Sequence, residues 1–102
     1  MASLNKIHKK KGLTTKNPEL EQEINKFIGN RIRAIRLSFN LTKVFVANQL
    51  GITYQQLSNY ENATSSITVE RLYTIAIIFN TPLLHFLPTY KDVSISKFLS
   101  NF

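Results

Sequence analysis

The chain has no cysteine, which excludes disulfides and thiol chemistry. Histidine is scarce as well: His8 and His85 stand apart, with no partner ligands at useful spacing, so no metal is expected. Neither nearby paired carboxylates nor a phosphate-cradling glycine loop is present, and no catalytic site or cofactor is expected. Long apolar runs are missing. The longest, Ile75 to Phe79, is far too short to cross a bilayer. The basic N-terminus lacks the apolar segment of a secretory signal, so a cytoplasmic location is expected rather than export. Acids are few: six, against thirteen Lys and Arg, give a formal charge of +7 and favour acidic partners. Nucleic acid ranks first among these and an anionic membrane surface second.

What is present amounts to one domain, since 102 residues suffice for a modest core without a metal or disulfide. Residues 1–17 hold Lys6, Lys9, Lys10, Lys11 and Lys16 without an acid and read as a basic flexible tail. That tail either merely solvates the end or touches phosphates or a minor groove. The domain proper is expected over 18–90. Asn17-Pro18, with Glu19, Glu21 and Glu23 following, combines a cap, a pre-set φ and negative charge at a helix start. Leu20, Ile24, Phe27, Ile28, Ile32 and Ile35 then recur at helical spacing, predicting a buried stripe out to about Phe39. Gly29 interrupts it, marking either a break or a close approach to a neighbour. Arg31, Arg33 and Arg36 read by default as solvated.

From Leu41 to Asn62 two short helical patterns are hinged at Gly51. Thr42 caps the first, in which Val46, Ala47 and Leu50 face inward. Thr53 and Gln56 form a capping box for the second, which starts at Tyr54. Within it Leu57 and Tyr60 look core-facing, leaving Tyr54, Gln55, Ser58, Asn59 and Asn62 outward. That outward face is amide-rich and nearly uncharged, where an ordinary solvated helix carries Lys and Glu; Gln and Asn are also the side chains that pair bidentately with adenine. Beyond the Thr64-Ser65-Ser66 loop, Thr68 caps a helix to Phe79, with Leu72, Ile75, Ala76 and Phe79 inward and Tyr73, Ile77 and Ile78 as apolar surplus. Thr81-Pro82 restarts a short helix ending near Pro88. Residues 91–102 read as a C-terminal amphipathic segment through Ile95, Phe98, Leu99 and Phe102, whose expected mate is this domain or a second subunit.

Three stretches, IGNRIRAIR, LTKVFVANQLGITYQQLSNYEN and ITVERLYTIAIIFNTPLLHFL, resemble the phage-repressor-like, or XRE, helix-turn-helix family from Ile28 to Leu87. The resemblance implies an all-α, compact five-helix domain that binds double-stranded operator DNA as a homodimer. It places base contacts on Tyr54, Gln55 and Asn59, with Ser58 as a fourth. Phosphate contacts fall on Lys43, Asn62 and Thr64, and a structural ion pair on Arg36 and Glu61. Three positions depart from the family pattern: Lys43 stands for a glutamine, Ala63 for a glycine, and Phe45 for a residue that is often acidic. Ala63 obliges it or Asn62 to take a less easy turn conformation, and Phe45 is exposed unless a neighbour covers it. Tyr73, Ile77, Phe98 and Phe102 are the expected dimer contacts. The function expected is that of a bacterial or phage transcription regulator, a repressor at a palindromic operator. The alternative is a protein-interaction module on the same fold: an antitoxin, an antirepressor or a coactivator bridge.

Overall fold

Among the described residues every α-helix starts at a side-chain oxygen that accepts an otherwise unpaired amide, and each is followed by a residue with positive φ. The computed structural model describes residues 17–93; the expectations for the basic tail before Asn17 and for the segment carrying Phe98 and Phe102 lie outside them. Helix α1 spans Pro18–Ser38, α2 Lys43–Leu50, α3 Tyr54–Glu61 and α4 Val69–Ile78, followed by a 3-10 helix over Leu83–Phe86. The caps are the expected ones. Asn17, Thr42, Thr53 and Thr68 accept from the amides of Leu20, Phe45, Gln56 and Arg71, each cap contributing about 1 kcal/mol.

The exits share one device. Asn40, Gly51, Ala63 and Asn80 have φ of 57°, 68°, 61° and 48°. The amides of Leu41, Ile52, Thr64 and Thr81 just beyond them return to the carbonyls of Arg36, Ala47, Asn59 and Ala76. Each exit therefore closes on itself with its last carbonyls satisfied, and the chain turns sharply into the next element. Of the two residues offered for the turn after α3, Ala63 takes it, while Asn62 keeps φ at −90°. A non-glycine residue there costs roughly 1–2 kcal/mol.

The core gathers Ile28 and Ile32 of α1, Val46 and Ala47 of α2, Leu57 and Tyr60 of α3, Leu72, Ile75 and Ala76 of α4, and Phe79 and Phe86 beyond it. Gly29 is no break. α1 runs through it, and a Cβ there would lie 2.5 Å from the Tyr60 carbonyl oxygen and 2.6 Å from that of Glu61. The missing side chain is what lets α1 touch the end of α3. At its own C-terminus α1 hands on to Phe39, half-exposed and stacked on the Phe79 ring with centroids 5.8 Å apart.

The expected fifth helix is a single 3-10 turn, so the described residues hold four α-helices plus that turn. Pro88 explains it: the residue before a proline is driven from the α region, and Leu87 is accordingly extended, with ψ at 140°. Four residues remain, enough for a bond such as His85 N–H to the Pro82 carbonyl but not for an α-helical ladder. Arg31 is not merely solvated, since its Nε donates to the His85 carbonyl at 2.7 Å and ties the turn to α1. No helix among the described residues is long and apolar enough to cross a membrane.

Candidate nucleic-acid interface

Helix α3 stands on a buried polar brace. Arg36 of α1 donates through Nε and Nη2 to the two carboxylate oxygens of Glu61 at 2.7 and 3.0 Å, and through Nη1 to the Leu41 carbonyl at 2.8 Å. Both side chains are buried, at 7% and 1% exposure. Arg36 is thus not surface; it is a bidentate anchor that fixes the distance and the angle between α1 and the last turn of α3. Tyr60, one residue earlier, is held in the same way, its hydroxyl accepting from Arg71 of α4 at 3.2 Å. Gly29 lets the α1 backbone reach this end of α3, and together these contacts leave α3 little freedom to rock.

With the inner face occupied, α3 turns Tyr54, Gln55 and Asn59 outward. Tyr54 and Gln55 are exposed, and Asn59 is half-buried. Gln55 Nε2 donates to Asn59 Oδ1 at 2.9 Å, and the Thr64 hydroxyl lies 3.2 Å from the same oxygen. The Asn59 side-chain oxygen Oδ1 is therefore engaged twice. Gln55 keeps its own carbonyl oxygen and its second amide hydrogen, the acceptor and donor that a bidentate adenine contact requires. Gln55 and Asn59 stand four residues apart on one helix face, and the sequence carried that signal. Recruitment of Thr64 from the following loop was not visible in it.

Two expected site residues sit differently from their sequence reading. Ser58, expected outward, is buried at 7% exposure, and its hydroxyl oxygen accepts from Lys43 Nζ at 3.3 Å. The reason is its place on the flank of the Leu57 stripe, where α2 packs alongside. Lys43 does not extend into solvent; it folds back over α3, its Nζ 5.4 Å from the centroid of the Tyr54 ring. Thr64 is exposed, yet both its donors turn inward, since its amide also bonds the Asn59 carbonyl at 2.9 Å. Asn62 is exposed beside it. Tyr73 and Ile77 are 54% and 65% exposed on α4, in line with Val69 at 74%, and Phe45 is 45% exposed on α2.

Comparison with known proteins agrees with this arrangement. A helix-turn-helix family model matches residues 32–86. An HTH-type transcriptional regulator of Rickettsia conorii is 40% identical over 58 residues, which are 57% of this chain and 46% of that protein. Another, from Sinorhizobium medicae, is 33% identical over 70 residues, 69% of this chain and 50% of that protein. The antitoxin PezA of Streptococcus pneumoniae is 40% identical over 53 residues, 52% of this chain and 34% of that protein. The chain thus spans about half the length of the curated regulators it matches. No solved structure matches it. On the family match and the buried Arg36–Glu61 brace beneath an exposed, amide-bearing α3, the chain belongs to the XRE-type helix-turn-helix family.

Proposed function

We propose that this chain is a sequence-specific DNA-binding transcription regulator, a cytoplasmic repressor that occupies a palindromic operator as a homodimer. The observation that carries the reading is the braced α3, whose outward Gln55 and Asn59 amides are already ordered against each other. In helix-turn-helix docking the second helix enters the major groove while the first crosses the backbone. Here α3 enters, Gln55 contacts a base with Asn59 beside it, and Tyr54 meets a thymine methyl or a sugar. Asn62 faces a phosphate; Thr64 does so once its hydroxyl leaves Asn59. The net charge of +7 favours the encounter. Two copies joined through the Val69–Tyr73–Ile77 line of α4, with Phe98 and Phe102 added, would present recognition helices to half-sites about 34 Å apart. Bound at a promoter, the dimer competes with polymerase. Fluorescence titration on duplexes enriched from genomic DNA tests this: tight binding that weakens with salt and exceeds that to random duplex is expected, and equal affinity for both at moderate salt counts against it.

A second reading has its own support in the similarity to an antitoxin and in the exposed Phe45, Tyr73 and Ile77. On it, the chain is a protein-interaction module that holds a partner on its apolar surface. Stoichiometric copurification of one protein partner, without specific DNA binding, would favour that reading over the first.

A further inference from the structure

Lys43 was expected on a phosphate, but its surroundings point elsewhere. Its ammonium rests on two residues of α3 that stand four apart on one face, Tyr54 and Ser58. The next face of the same helix carries Gln55 and Asn59. The ammonium thus lies alongside the reading pair although its backbone belongs to α2. The Tyr54 ring attracts the cation at 5.4 Å from its centroid. Ser58 is 7% exposed, and its hydroxyl oxygen takes one of the three N–H donors at 3.3 Å. Two donors remain. Anchored on both supports, they are offered beside the helix face that carries Gln55 and Asn59.

We infer that Lys43 is a base-reading residue, its ammonium held by Tyr54 and Ser58 to donate to O6 and N7 of a guanine in the major groove. Guanine is the base that presents two acceptors there, and lysine, which only donates, suits it; adenine sets a donor beside N7 and would repel it. The operator half-site therefore carries a guanine next to the base taken by Gln55 and Asn59. Ser58 acts as a positioning residue and touches no DNA. This inference rests on the DNA-reading function proposed above.

The test is selection of bound duplexes from a random library by wild type, Lys43→Met and Ser58→Ala, with thermal melting to verify that each is folded. Wild type should select a guanine in each half-site, preferred roughly ten- to a hundred-fold. That preference should vanish in Lys43→Met and weaken in Ser58→Ala, while the base read by Gln55 and Asn59 persists in both. Replacing that guanine by 7-deazaguanine should weaken wild type and leave Lys43→Met unchanged. If Lys43→Met loses affinity equally on every sequence and selects the same bases, Lys43 is a phosphate contact; that overturns this inference and leaves the regulator reading standing. If wild type selects no sequence at all, both fall.

Discussion

Helix α3 carries polar side chains on two faces, and their treatment differs completely. On the inner face Glu61 meets Arg36 in a bidentate pair, the Tyr60 hydroxyl meets Arg71, and Gly29 brings the α1 backbone against both residues' carbonyls. On the outer face Gln55, Asn59 and Thr64 bond one another and leave hydrogen-bonding capacity unspent. Burial explains the contrast. A buried charge without a partner is costly, so the inner groups must be paired in the folded chain; an exposed amide is satisfied by water and can exchange it for a base edge. The lesson is that polar residues on one short helix serve two ends, the closed set holding the helix still and the open set available to a ligand.

Breaking the inner set should cost stability. Glu61→Ala strands the Arg36 guanidinium in the interior and should lower unfolding free energy by about 3–5 kcal/mol in urea denaturation; a loss below 1 kcal/mol would mean that the pair is not the brace described. Gly29→Ala is next. Helix propensity alone would make alanine better by about 1 kcal/mol, but the Cβ meets backbone oxygens at 2.5 and 2.6 Å. A net loss of about 1–3 kcal/mol is expected, and a gain in melting temperature would show that α1 and α3 separate easily.

The outer set should behave oppositely. Asn59→Ala should leave the melting temperature nearly unchanged and erase about 1–3 kcal/mol of discrimination at one base position, read by competition between singly substituted duplexes. Lost stability with unchanged discrimination would move Asn59 to the structural side. The smallest effect belongs to Asp92, whose carboxyl is held below its ordinary value by hydrogen bonds from the amide and hydroxyl of Thr89. A depressed folded value means that its contribution to stability is present above about pH 3.9 and is lost as pH falls through the folded value. Asp92→Asn should lower the melting temperature slightly near neutrality and match wild type in acid, flattening the acid-side decline; the effect is small because the group is fully exposed.

The sequence reveals these two faces unequally. All four N-caps, the Gly51 hinge and the inward Leu57 and Tyr60 follow from local pattern, because caps and periodicity are decided within a few residues. The Arg36–Glu61 pair joins residues far apart in the chain, and it came from resemblance to a family; local spacing alone made Arg36 surface. Gly29 stayed open between a break and a close approach, since its neighbours Tyr60 and Glu61 lie on another helix. Helical period places Ser58 outward, at the margin of the Leu57 stripe, and its cover is a lysine fifteen positions earlier. Pro88 limits the last element to a 3-10 turn, whereas the apolar residues before it alone predict a helix. What the pattern missed was in each case set by a partner distant in sequence or by a backbone preference at an element's edge.

The most direct measurement is the affinity of wild type and Gln55→Ala for a selected duplex and its single-base variants at moderate salt, with both proteins verified as folded. Wild type should prefer the selected duplex by at least tenfold over random sequence, and Gln55→Ala should lose that preference at one position per half-site while keeping the salt dependence of the remaining phosphate contacts. Equal affinity of wild type for selected and random duplexes would contradict the claim that the open face of α3 reads DNA.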